Sequence, residues 1–262
     1  MDNAAAMQIA RAFRDARASG KALATYPGER PVDLESAYRI QDCAIAIAGA
    51  PVVGWKVGRI NAPDNQLLGA DRLAGPILAG TVRTDEPEGD AVSMPICPGG
   101  FAAAEAEFIV RLADRPFDRA PEDDDETLAM IAEIRIGIEI ASSPYAAINA
   151  DGPCVTVSDQ GNNAGLVLGP QVPREFWSRL DEVQVTVEID GSNVGTGTTR
   201  SMLDGPLGAV RFLIANLHSR AIAPKGGQYI TTGAITGVHE IGHGQLVQAH
   251  FETLGTIRAR IA

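Results

Sequence analysis

Two short apolar stretches of this chain carry acid where acid is costly. Ala103-Ala104-Glu105-Ala106-Glu107-Phe108-Ile109-Val110 holds two glutamates, and Ile136-Gly137-Ile138-Glu139-Ile140 holds a third. An unpaired carboxylate in apolar surroundings either neutralises or finds a partner, so a fold that buries these runs must also satisfy the acids. If the runs are strands, side chains alternate with period two, and Glu105 and Glu107 share a face. Glu139 then stands on a second strand, with Ile138 and Ile140 turned away. Three converging carboxylates need a cation to hold them, and their hard oxygens suit Mg²⁺ or Mn²⁺ better than Zn²⁺. A single glutamate in a strand more often faces solvent, as expected for Glu133. Apolar neighbours and matched spacing favour metal ligation for the other three.

Composition narrows the function classes. The chain has 262 residues, 22 basic against 33 acidic, for a formal net charge of −11. That balance argues against a nucleic-acid binder, which normally shows a basic patch, and against docking on an anionic membrane. An anionic substrate stays open, because a bound metal reverses the local field. No apolar run approaches the roughly 18 residues of a membrane span. Met1-Asp2-Asn3-Ala4 has an early acid and no apolar signal core, so secretion is not expected. Cys43, Cys97 and Cys154 are odd in number and far apart. They read as small core residues, and a reducing cytoplasm fits them.

The pattern along the chain is α+β. Ala4 to Ser19 reads as a helix, and Asp33 caps a second running to about Ala48. Residues 1–75 form a helical N-terminal part, within which Gly54 to Gly58 is a short strand. Residues 76–262 form a strand-rich body continuous with it. Its expected strands include Pro76 to Val82, Ala103 to Leu112, Ile134 to Ala141, Ala164 to Gly169 and Val183 to Ile189. Asp190-Gly191 signals a hairpin. The acidic run from Glu122 to Glu126 leads into a helix to about Glu133, its charges suiting a helix N-terminus. Ser142 to Gly152 reads as a loop, and Gly205 to Arg220 as an amphipathic helix.

Lys56 lies between Trp55 and Val57 in the glycine-bounded strand. Two readings stay open: an edge lysine in solvent, or a half-buried lysine near a metal and an anionic substrate. His239-Glu240-Ile241-Gly242-His243 matches the zinc-peptidase pattern, which works only on a helix. Gly237, Gly242 and Gly244 make a helix poor there, and His250 is one place out of register for a third ligand. A polar turn between strands is the better account. The loop Asp159 to Gly165 and the segment Gly226 to Gly233 read as turns first, and as donors to a substrate second.

Together Gly54-Trp55-Lys56-Val57-Gly58, Glu105-Ala106-Glu107-Phe108, Ile138-Glu139-Ile140, the Asp159 loop and Ala249-His250-Phe251-Glu252-Thr253-Leu254-Gly255 resemble a known family in order and spacing. It is the 2-hydroxypenta-2,4-dienoate hydratase and 4-oxalocrotonate decarboxylase group of the fumarylacetoacetate hydrolase superfamily. The resemblance implies a mixed β-roll with an N-terminal helical part, and a homo-oligomer that could pair with a pathway enzyme. It implies Mg²⁺ or Mn²⁺ on Glu105, Glu107 and Glu139, and a catalytic Lys56. Asp159, Thr232 and Gly233 fall where such enzymes contact substrate. The implied activity is a hydratase adding water to a 2-hydroxy-2,4-dienoate or 2-oxo-enoate in aromatic-compound catabolism. The alternatives are a 4-oxalocrotonate-type decarboxylase, with Arg59 or Arg72 for the second carboxylate, an acylpyruvate C–C hydrolase, or a non-catalytic homologue. Two departures stand out. Ala74 occupies a position where the family often has an acid, and the Asp159 loop lacks the usual Asp-Asn-Ala-Ser wording.

Overall fold

Two capped helices open the chain in the computed structural model, which describes residues 1–86 and 89–262. In α1 (Asn3–Ser19), the Asp2 side chain accepts from Ala5 N–H at 2.8 Å, and Gly20 closes the helix at φ 64°. Ala6, Ile9, Ala10, Phe13 and Ala16 make its buried stripe at helical spacing. Asp33 caps α2 (Leu34–Ile47), which packs against α1. There follow β1 (Val52–Arg59), the short α3 (Asp64–Leu68), β2 (Arg72–Leu78), β3 (Val82–Thr84) and β4 (Val92–Met94). The two acid-bearing strands are β5 (Phe101–Leu112) and β6 (Ile131–Ser143), with α4 (Asp124–Ala129) between them. After α5 (Pro153–Ser158) come β7 (Asn163–Gln171), β8 (Val185–Ile189), β9 (Ser192–Gly197) and α6 (Gly205–Ser219). The chain closes with β10 (Tyr229–Thr231), β11 (His239–Glu240), β12 (Leu246–Phe251) and β13 (Gly255–Ile261).

Among the described residues the strands form two curled sheets. The larger runs β2-β1-β10-β5-β6-β7-β3, with β11 paired to β5; the smaller runs β4-β13-β12-β8-β9. The larger sheet is mixed, since β10 is parallel to β1 and antiparallel to β5. The expected β-roll with N-terminal helices is the observed fold. Because β1 and β2 belong to the large sheet, residue 75 falls inside a strand, and the helical part is joined to the body through that sheet.

Two local differences from the sequence reading have clear causes. The helix expected to reach Glu133 stops at Ala129, because Ile131, Ile134 and Ile136 are buried in β6 alongside β5. The extended segment expected from Pro76 to Val82 breaks into β2 and β3, with a turn around Gly80 at φ 89°. Pro153 starts a buried helical turn, α5, where a strand ladder would lose a donor.

Period-two alternation gives β5 two different faces. Ala104, Ala106, Phe108 and Val110 enter the main apolar core with Ile136, Ile138 and Ile140 of β6. The small sheet covers that face, with Phe108 of β5 edge-on to Phe251 of β12 at 5.5 Å between ring centres. The acids are thus backed by a rigid apolar layer. Replacing Phe251 by alanine removes this inter-sheet contact and is expected to cost about 3–5 kcal/mol in urea denaturation. A cost under about 1 kcal/mol would show that the small sheet does not brace β5.

Candidate metal centre and active-site cavity

The antiparallel register of β5 and β6 puts Glu105 directly opposite Glu139 and Glu107 opposite Gly137. All three acids therefore project from one face. One oxygen from each lies within 4.8 Å of the others. Glu107 and Glu139 are fully buried, and Glu105 is 6% exposed.

Lys56 joins them across the sheet. It pairs with Thr231 of β10, which pairs with Ile109 of β5, so the lysine stands on the acid-bearing face. Its Nζ is 3.4 Å from Glu139 Oε1, and the residue is 4% exposed. The solvent-edge reading is therefore replaced by a buried lysine: β1 lies between β2 and β10, not at the sheet edge.

The remaining donors are local. Asn163 Nδ2 donates to Glu139 Oε1 at 3.0 Å, and Thr231 Oγ1 donates to Glu139 Oε2 at 2.7 Å. The Gly233 N–H donates to Glu107 Oε2 at 2.6 Å, while Glu107 Oε1 is buried without a hydrogen-bond partner among the described residues. Thr232 also lines the cavity, but its hydroxyl donates to the Phe108 carbonyl at 2.8 Å. Asn163 and Thr231 were legible only as members of polar turn segments, with no spacing rule to single them out.

Electrostatics favour a cation here. Burial pushes the Glu105 carboxyl up to about 7, with Lys56 opposing and Glu139 adding to the rise. Burial also carries Glu107 well above the carboxylate range, helped by Glu139 and Glu105. For Lys56, burial acts to lower the pKa, but Glu139, Glu105 and Glu107 outweigh it and the net direction is up. With all three carboxylates ionised and Lys56 protonated, two negative charges remain, the complement of a divalent ion. An all-oxygen donor set with one unpartnered buried oxygen fits Mg²⁺ or Mn²⁺.

The centre opens into a cavity of about 970 Å³, lined by Lys56, Glu105, Thr232 and Gly233. Asn162 lines it too, at a left-handed φ of 55°, with its Oδ1 unpartnered among the described residues and its Nδ2 donating to Asn149. The loop that carries it is pressed onto the site. A Cβ on Gly75 would come 2.1 Å from the Gln160 carbonyl, and one on Gly161 would come 2.9 Å from Lys56 Cδ. Arg59 and Arg72 also reach the cavity. Arg72 is paired with Asp204, whereas Arg59 has a carbonyl contact at 3.4 Å and, among the described residues, no carboxylate partner.

Asp159, expected at the substrate, lies elsewhere. Its carboxylate is fully buried, both oxygens take 2.8 Å hydrogen bonds from Arg17, and it does not line the cavity. Ala74 is fully buried and pairs with Val57, facing the apolar core rather than the side of Lys56. His239 sits on β11, not on a helix, with Nε2 3.0 Å from Thr236 Oγ1. Among the described residues neither His239 nor His243 joins a metal-ligating group.

Known proteins resemble this chain in sequence and in fold. The chain is 28% identical over 258 residues to the 2-keto-4-pentenoate hydratase of Paraburkholderia xenovorans (strain LB400), covering 96% of this chain and 93% of that protein. Its fold superposes on the 4-oxalocrotonate decarboxylase of Pseudomonas putida G7, complexed with magnesium and adipate. That match has a TM-score of 0.83 and 20% identity, over 100% of this chain and 99% of that one. It is also similar to fumarylpyruvate hydrolase of Pseudomonas aeruginosa in complex with Mn²⁺ and pyruvate. There the TM-score is 0.59 and the identity 14%, over 81% of this chain and 91% of that one. At these identities the two solved structures speak for the fold. The model of the fumarylacetoacetate (FAA) hydrolase C-terminal family matches residues 73–262, and the chain belongs to that family.

Proposed function

We propose that this chain is a divalent-metal-dependent lyase, a hydratase of a small 2-hydroxy-2,4-dienoate or 2-oxo-enoate. The observation that carries the reading is the buried set of Glu105, Glu107 and Glu139, with Lys56 beside it, of which Glu105 and Lys56 line a cavity. The three glutamates would hold Mg²⁺ or Mn²⁺. When bound, that ion supplies Lewis-acid charge for the 1-carboxylate and 2-oxygen of an oxo-acid.

The protein's own groups divide the remaining work. Lys56 Nζ holds positive charge toward the 2-oxygen, where negative charge develops. Thr231 and Asn163 fix the rotamer of Glu139, and the Gly233 N–H fixes that of Glu107. Asn162 Oδ1 offers an acceptor for the water that adds at C4 of the conjugated 2-oxo-3-enoate. The hydratase relatives support this reaction over others. A second reading, an oxalocrotonate-type decarboxylase, is favoured by Arg59, an unpaired cation at the cavity among the described residues.

We assign the chain to the cytoplasm, where its free cysteines fit a reducing medium. We further infer a homo-oligomer, to which the exposed Val194, Leu203 and Val238 offer apolar surface. A pathway enzyme that supplies the dienoate is a fitting further partner.

A panel of 2-hydroxypentadienoate, 4-oxalocrotonate and acylpyruvates with Mg²⁺, followed by ultraviolet loss and product identity, tests the reaction. Hydration of the first is expected, and turnover of none would favour a non-catalytic protein. Glu107→Ala should abolish turnover and weaken Mg²⁺ binding beyond the about 100-fold typical of losing an outer-shell partner. Full turnover of that variant in metal-free buffer would contradict the mechanism. Lys56→Met should lower kcat by about 10²–10³, the scale of one lost electrostatic donor, without weakening Mg²⁺ binding in calorimetry.

A further inference from the structure

The strand that delivers Asn163 to Glu139 is irregular at that point. Along β6 and β7, Glu139 pairs with Leu166 and Ile140 with Gly165, but Ala141 then pairs with Asn163, leaving Ala164 as an extra residue. Side chains alternate along a strand, so a regular ladder would put Ala164 opposite Ala141 and turn Asn163 to the other face. The bulge reverses this and brings Asn163 onto the face of Glu139, where its amide makes the 3.0 Å bond. A bulge interrupts the ladder locally, so its geometry must be held from outside.

Arg17 of α1 does the holding. Its guanidinium donates to both oxygens of Asp159 at 2.8 Å, to the Ser142 carbonyl at 2.8 Å and to the Asn163 carbonyl at 3.3 Å. It therefore ties together the end of β6, the start of β7 and the loop between them. The side chain is 17% exposed and its partner Asp159 is fully buried. Arg17 lies outside residues 73–262, the part matched by the family model.

We infer that Arg17 is a positioning residue for the metal centre, acting through the Asn163 bulge on Glu139. The inference rests on the metal-site reading above. It makes the N-terminal helix a working part of the centre rather than a cover for the sheet.

Mn²⁺ binding, followed by electron paramagnetic resonance on the purified full chain, tests it together with thermal melting of the metal-free protein. Arg17→Met is expected to raise the Mn²⁺ Kd about tenfold, the low end for an outer-shell partner, and Asn163→Ala by at least as much. The double variant should bind no more weakly than Asn163→Ala, because both changes break one chain of contacts. Arg14→Ala, on the exposed side of α1 and, among the described residues, paired only with Asp15, should bind as the wild type does. If Arg17→Met does not fold, the isosteric Asp159→Asn takes its place, with the same tenfold rise expected. A folded variant that melts earlier yet keeps the wild-type Kd reduces Arg17 to a structural role and overturns the inference. Fully additive losses in the double variant also overturn it. If wild-type protein binds no Mn²⁺ while remaining folded, the metal-site reading itself falls and the inference with it.

Discussion

Three carboxylates that share a space of 4.8 Å away from water cannot all stay ionised without positive charge among them. Most of the molecule can be read as the means of meeting that condition. The β5–β6 register sets Glu105 against Glu139, and alternation brings Glu107 to the same face. Lys56 supplies one positive charge from three strands away. The charge still lacking is that of one divalent ion, which is why the site reads as a metal centre rather than as a structural ion-pair network.

The surroundings keep this arrangement in one geometry. The back of β5 rests on the small sheet through Phe108 and Phe251, so the strands cannot slide to relieve repulsion between the acids. On the front, Thr231, Asn163 and the Gly233 N–H take specific carboxylate oxygens, leaving Glu107 Oε1 without a donor among the described residues. The loop Gln160–Asn162 closes against Gly75 and the stem of Lys56, and so joins the cavity wall to the charged floor. Arg17 fastens that loop from the N-terminal helix.

The acids were legible because their chemistry conflicts with their apolar neighbours, and such a conflict shows in a sequence; for Lys56 two readings stayed open until the strand order put β1 inside the sheet. The helix α1 was legible from its alanine-rich run Ala4 to Ser19, and α2 from Asp33, whose capping role is local. What escaped depends on non-local pairing. Asp159 was expected at the substrate through the family resemblance of its loop, yet its partner is 142 positions away on α1. Asn163 reaches Glu139 only because of a bulge, and no one-dimensional pattern places an extra residue in a ladder. The end of α4 was overrun because the isoleucines that follow suit a helix by local composition, whereas pairing with β5 decides for strand.

Anomalous diffraction from crystals of the full chain soaked in Mn²⁺ locates the ion itself. A single strong peak is expected, bounded by carboxylate oxygens of Glu105, Glu107 and Glu139, with Lys56 beside it and outside the coordination sphere. No peak at that position, or a peak at His239 and His243 instead, would contradict the metal-site reading.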